Sequence, residues 1–257
     1  MGAMQIAAVQ LDIRWEDRAA NHSRVRKLVQ DAKLAPDTLV ALPELFDLGF
    51  SMNAAAADPG EPSKSEAFCR ALAAEQRVAV LAGVVARAEG GRLANEAVAY
   101  APDGALLARY RKIQPFSGAG EETCYPAGTC RTEFAWAGAR IAPFICYDLR
   151  FPELFRPAAR AGAEVIVVVA NWPDKRSEHW VRLLQARAIE NQAWVLGVNR
   201  TGSDPTLTYD GRSCLFDPHG REVFQAGRDE QVLTADIDPA VARQWRQDFP
   251  ALRDMRM

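Results

Sequence analysis

The sequence predicts a single α/β domain over residues 1–257, with helices covering a mixed sheet system, and three observations carry that expectation. Short apolar runs such as Met4 to Leu11 and Val165 to Ala170 are strand-sized and read as strands buried on both faces. Helical periods separate them, giving strand, helix, strand from the first forty residues onward. No linker, repeat or low-complexity block divides the chain, and its many strands point to two sheets packed face to face.

Met4 to Leu11 opens as a strand, Asp17 to Lys33 as a helix, and Thr38 to Leu42 as a second strand ending in Pro43-Glu44. Ser63 starts the next helix, with Glu66 as the third-residue acid of a capping box, and the strand Val78 to Val85 follows. Residues 93 to 101 and 105 to 111 flank Pro102-Asp103-Gly104, where proline fixes φ and glycine takes a positive φ, so a hairpin is inserted here. Phe116 to Thr132 has no period and reads as a long functional loop. The alternation then resumes with a strand at Ile141 to Cys146 and a helix at Phe151 to Ala161, with Pro152 in its first turn. Val165 to Ala170 is a strand, Glu178 to Asn191 a helix and Val195 to Val198 a strand. Short strands around Cys214 to Phe216 and Val232 to Ile237, a turn at Asp217-Pro218-His219-Gly220 and a helix from Pro239 complete the chain.

Composition removes several function classes. With 31 Lys plus Arg against 33 Asp plus Glu, net charge −2, no field favours nucleic acid. No apolar run approaches the roughly 20 residues that span a bilayer, so no membrane partner is expected. Met1 to Gln5 lacks the charged start and apolar region of a secretion signal, and a cytoplasmic location is expected. Five cysteines without CxxC spacing argue against a disulfide framework and a zinc site, and three scattered histidines make no metal centre.

Among the cysteines, Cys146 stands where an apolar strand gives way to a helix that Pro152 is suited to start, and ligands bind at such strand ends. Cys69, on a helix, and Cys214, in a strand, read as inert buried thiols. Cys124 and Cys130 lie in the loop. His179 reads as a solvated helix residue, so the familiar Cys-His pair is missing. Glu44 and Lys112 each sit at a strand end between apolar neighbours, where charge is expensive; singly, either reads equally well as a solvated strand-end charge.

Taken together, Leu42-Pro43-Glu44, Tyr110-Arg111-Lys112 and Ile145-Cys146-Tyr147-Asp148-Leu149-Arg150-Phe151-Pro152-Glu153 resemble the three signatures of the nitrilase superfamily, or carbon-nitrogen hydrolases. The resemblance runs nearly the full chain through Gly120-Glu121, Asn171-Trp172-Pro173, Ala186-Arg187-Ala188-Ile189-Glu190-Asn191 and Asn199-Arg200. It implies a four-layer αββα sandwich that works with neither metal nor organic cofactor, assembled as a homodimer or higher homo-oligomer. By motif it makes Cys146 the nucleophile, Glu44 the general base and Lys112 the cation beside the oxyanion. Glu121 matches a second glutamate that orients the lysine or the amide; its bland alternative is a solvated loop acid. Gln114 stands where related sequences often carry histidine, which would alter the pocket rim.

These roles fit the needs of amide hydrolysis: a nucleophile, a proton carrier for the departing amine and positive charge at the oxyanion. The backbone N–H of Tyr147 is a second candidate oxyanion donor. Trp172 reads either as a pocket wall or as a packed rim aromatic, and Arg176 and Arg200 either as grips on a substrate carboxylate or as salt-bridge partners. The pattern Asn-Trp-Pro-x-x-Arg with Asn-Arg-x-Gly-Ser-Asp resembles the omega-amidase branch, which implies release of ammonia from dicarboxylate monoamides. N-carbamoyl amino acid hydrolysis, aliphatic amide hydrolysis and acyl transfer to an amine share the same first steps. A non-catalytic binding or scaffold protein and a thiol redox protein are the readings from other classes.

Overall fold

The structure, a computed structural model, describes residues 3–256, so Met1 and Gly2 of the N-terminal stretch lie outside the described residues. One six-stranded sheet contains β1 (Met4–Gln10), β2 (Leu39–Leu42), β3 (Ala79–Arg87), β4 (Leu93–Tyr100), β5 (Leu106–Arg111) and β14 (Gln231–Ile237), in the order β14-β1-β2-β3-β4-β5. A second contains β6 (Phe134–Trp136), β7 (Ala139–Ile145), β8 (Val165–Ala170), β9 (Trp194–Asn199), β12 (Cys214–Phe216) and β13 (Glu222–Gln225), in the order β13-β12-β9-β8-β7-β6. β10 (Thr201–Ser203) and β11 (Thr208–Asp210) form a separate hairpin. The central strands β1-β2-β3 and β7-β8-β9 pair in parallel. The outer strands of both sheets pair antiparallel.

Strand alternation divides the side chains between two cores. Ile6, Ala8, Leu39, Ala41, Ala79 and Leu81 face the second sheet and pack with Phe144, Val167 and Val169. Their neighbours Ala7, Val9, Val40, Leu42, Val80 and Val84 pack instead with Val25 and Val29 of α1 (Arg18–Asp31) and Phe68 and Leu72 of α3 (Lys64–Gln76). The short α2 (Ala54–Ala57) lies between these helices in the chain. Phe155 of α5 (Pro152–Arg160) and Trp180 and Leu184 of α6 (Ser177–Asn191) belong to the cluster that covers the second sheet. The layers are therefore helix, sheet, sheet, helix, as the resemblance implies. The chain closes with α7 (Pro239–Asp248) and α8 (Ala251–Asp254).

Several expectations needed adjustment. Asp17 and Ser63 cap their helices, but only half of the capping box forms: Ser63 accepts from the Glu66 N–H at 3.3 Å, while the Glu66 carboxylate reaches Tyr100 and Arg109. Tertiary cations win over the local bond. The loop at 116–132 carries a helical turn at Ser117–Ala119 and a one-turn helix, α4 (Glu121–Cys124). β6, β10, β11 and β13 escaped the sequence reading because three or four residues show no usable period. The strand read as ending at Cys146 ends at Ile145, and Cys146 adopts φ 46° at the head of a turn. No helix among the described residues is long and apolar enough to cross a membrane.

Candidate active site

Glu44, Lys112, Glu121 and Cys146 are brought together from two sheets and one loop. Glu44 follows β2, where Gly83 of β3 approaches so closely that a side chain at 83 would run into the Glu44 backbone. Phe46 N–H and Gly83 N–H then donate to Gly83 O and Pro43 O, at 3.1 and 3.2 Å, so that the chain is pinned on both sides of the carboxylate. Lys112 leaves the end of β5, donating its N–H to Asn95 O and accepting from Gly128 N–H. Glu121 opens α4 and is fully buried, whereas Glu122 is exposed.

The Lys112 ammonium donates to Glu44 Oε1 at 2.8 Å and to the two Glu121 oxygens at 3.0 and 2.8 Å. Asn95, which the sequence reading passed over, bridges both acids from the other side, 2.8 Å to Glu44 and 2.9 Å to Glu121. Glu121 also accepts from the Phe116 N–H at 2.6 Å. Burial would push the lysine down, but the charges of Glu44 and Glu121 beside it outweigh that and hold the ammonium above its ordinary pKa. For Cys146 burial is the largest influence, and Glu44 adds to it more than Lys112 takes away, so the thiol is held well above its usual value. Two carboxylates already share one cation, and a resting thiolate would add a second uncompensated charge.

Asn171, previously only a landmark, ties Glu44 to the second sheet. Its N–H donates to Glu44 Oε2 at 2.9 Å and its side-chain amide to the Glu44 carbonyl at 2.6 Å. The Cys146 sulfur lies 3.9 Å from Asn171 O and opens into a cavity of about 150 Å³. Tyr147, Trp172 and Arg176 line it, together with Phe50, Phe116, Tyr209 and Asp204. Trp172 is both wall and packing residue: it is 2% exposed, its indole N–H donates to Arg176 O at 2.8 Å, and it packs on Trp180.

Arg150 also lines this cavity, a position quoted within the cysteine motif but given no role. It stacks 4.8 Å over Trp172 and meets His179 Nδ1 at 3.2 Å, while Arg176 stacks 5.7 Å from Phe116. Neither guanidinium has a carboxylate partner among the described residues. Burial, and then repulsion from Arg176, lowers the pKa of Arg150.

Arg200 is placed differently from either sequence alternative. It is fully buried, outside the cavity lining, and donates to the carbonyls of Thr201, Ile13 and Ser203 at 3.1, 2.9 and 2.9 Å. Its guanidinium stacks 4.3 Å over Tyr209. With Nε and Nη2 held by main-chain carbonyls and the residue outside the cavity lining, Arg200 braces the β10-β11 hairpin rather than gripping substrate, while its Nη1 is buried without a hydrogen-bond partner. Gln114 likewise does not line the cavity; its N–H is held by Asp148 at 2.9 Å. Cys124 and Cys130 are also absent from the lining, and Cys69 and Cys214 are buried as read.

The carbon-nitrogen hydrolase family model matches residues 5–247. The chain is 32% identical to 2-oxoglutaramate amidase of Bacillus subtilis, with 98% of this chain and 97% of that protein covered. It is 35% identical to the omega-amidase YafV of Escherichia coli K12, with 99% and 97% covered. In structure it is similar to XC1258 of Xanthomonas campestris, a CN-hydrolase superfamily protein with an arsenic adduct in the active site, at TM-score 0.92 and 37% identity, covering 100% of this chain and 98% of that one.

Proposed function

Because the chain belongs to the carbon-nitrogen hydrolase family, we propose that it hydrolyses the terminal amide of short dicarboxylate monoamides such as 2-oxoglutaramate, through a thioester on Cys146. The observation that carries the substrate class is the pair of guanidiniums, Arg150 and Arg176, facing a cavity that also holds the thiol: neither is ion-paired among the described residues, and the carboxylate in the lining, Asp204, is engaged by Thr206, Leu207 and Tyr209. An acid at one end of a substrate satisfies both while its amide lies at the sulfur. The amidase relatives support the same class.

Since the resting thiol keeps its proton, attack is coupled to transfer of that proton to Glu44 while sulfur bonds to the carbonyl carbon. As Glu44 becomes neutral, its hold on Lys112 weakens, and the ammonium turns to the developing oxyanion, with the Tyr147 N–H as second donor. The C–N bond then breaks, and Glu44 returns the proton to the leaving ammonia. In the second half Glu44 takes a proton from water as its oxygen attacks the thioester; the C–S bond breaks and the sulfur recovers its proton. Glu121 takes no part in the proton transfers and holds Lys112 in place through two hydrogen bonds. The same reading makes the enzyme cytoplasmic, supported by five free cysteines, and a homo-oligomer, supported by the exposed Ile189 and Phe249.

The test is ammonia release from 2-oxoglutaramate, succinamate, N-carbamoyl amino acids and neutral amides, with intact-mass trapping of the acyl-enzyme. Dicarboxylate monoamides should be turned over best, and Cys146→Ala should abolish both ammonia and adduct. Preference for neutral amides, or turnover surviving in C146A, would refute the assignment.

A further inference from the structure

We propose that Asp148 is a positioning residue that sets the distance between nucleophile and lysine by clamping the two sheets together beside them. The proposal rests on the roles of Cys146 and Lys112 given above. Glu44 and Lys112 stand on the first sheet and Cys146 on the second, so their spacing is a sheet-to-sheet distance that no strand ladder fixes. Between the sheets lies mainly apolar packing, which is non-directional. Directional ties are needed at the reacting end. Asn171 supplies one to Glu44, and Asp148 supplies the other, to the lysine strand.

Its carboxylate accepts three hydrogen bonds. Oδ2 takes the Ile145 N–H at 2.9 Å and the Tyr110 hydroxyl at 2.8 Å, and Oδ1 takes the Gln114 N–H at 2.9 Å. Ile145 immediately precedes the thiol, while Tyr110 and Gln114 bracket Lys112 by two residues on each side. One buried group thus grips the elbow on the second sheet and both flanks of the lysine on the first. Asp148 does not line the cavity, and both of its carboxylate oxygens are taken up by these protein donors.

The chemistry of the contacts requires a carboxylate. All three partners are donors, and an asparagine in the same shape would turn at least one contact into donor against donor. Burial raises the Asp148 pKa to about 6, with the three hydrogen bonds and the Lys112 charge opposing that rise. The fold therefore keeps an expensive buried acid where no proton transfer of the reaction uses it.

The experiment compares Asp148→Asn and Tyr110→Phe with the wild-type enzyme by steady-state kinetics, thermal unfolding and the pH midpoint of Cys146 alkylation by iodoacetamide, assigned by peptide mapping. D148N should lower kcat about 100-fold while KM changes less than about threefold, the scale expected for a misplacement near 1 Å. Its alkylation midpoint should rise by roughly one unit, because the ammonium no longer sits beside the sulfur. A folded D148N with kcat within threefold of wild type, or with an unchanged midpoint, overturns the clamp. Should D148N fail to fold, Y110F decides: a kcat loss of about fivefold with a raised midpoint supports the proposal, and wild-type values for both overturn it. A wild-type protein that releases ammonia from no amide refutes the functional reading instead, and the midpoint still judges the clamp.

Discussion

The charge cluster buried beside Cys146, a floor beneath the cavity lining, and the wall of the cavity handle charge in opposite ways. At the floor, Glu44, Glu121 and Lys112 are buried and bonded to one another, with Asn95 closing the group. On the wall, Arg150 and Arg176 are half-buried, rest on aromatic rings and face each other's repulsion. A self-compensated cluster holds its geometry without ligand, and so is suited to bond making. A pair of uncompensated cations is completed only by an incoming anion, and so is suited to selection.

Removing the cation at the floor should have the largest effect. Lys112→Met is expected to cut kcat by about a thousandfold or more, and to destabilise the fold by about 3–5 kcal/mol because it strands two buried carboxylates. Turnover numbers and thermal unfolding check this, and an unchanged melting temperature would show that the floor is not one electrostatic unit. On the wall, Arg150→Met or Arg176→Met should lower kcat/KM for acid-bearing amides by about 100-fold, yet alter a neutral amide of the same length by less than about threefold. Equal losses on both substrates would erase the distinction between wall and floor.

A pH series sharpens the comparison further. Because the folded-state pKa of Cys146 is raised, the thiolate is scarce at neutral pH, and alkylation should keep climbing beyond pH 9 rather than level off near 7. A plateau at neutral pH would mean a standing ion pair with Lys112 and a floor less balanced than described. The smallest effect belongs to Arg200→Lys. A lysine cannot serve three carbonyls and a tyrosine face at once, so KM should rise by about three- to fivefold for acidic and neutral amides alike. Selective loss on acids alone would return Arg200 to the wall.

Much of the site was readable before any coordinates. Glu44, Lys112 and Cys146 stand out because each is a reactive or charged group at the end of an apolar strand, and their three motifs together resemble one superfamily. The gaps have a common cause. Asn95 sits inside a strand pattern, where alternation shows a face but not a partner across 51 residues. Arg150, Arg176 and Arg200 carry the same guanidinium, and only their surroundings separate two wall cations from a strut. Asp148 was quoted in the cysteine motif with no role, since two of its three donors come from residues 34 and 38 positions away.

What the sequence by itself determined is local: the strand and helix periods, the hairpin at Gly104 with its φ of 83°, the charged strand ends and the motif that carries the thiol. What only the tertiary structure decided is which charges meet, that Asn95 bridges the two glutamates, and that Arg200 braces a hairpin. The reason is that periodicity and turn chemistry are set by neighbours along the chain. The pairing of buried charge depends on desolvation and on groups delivered by other strands, and these exist only once the two sheets have packed.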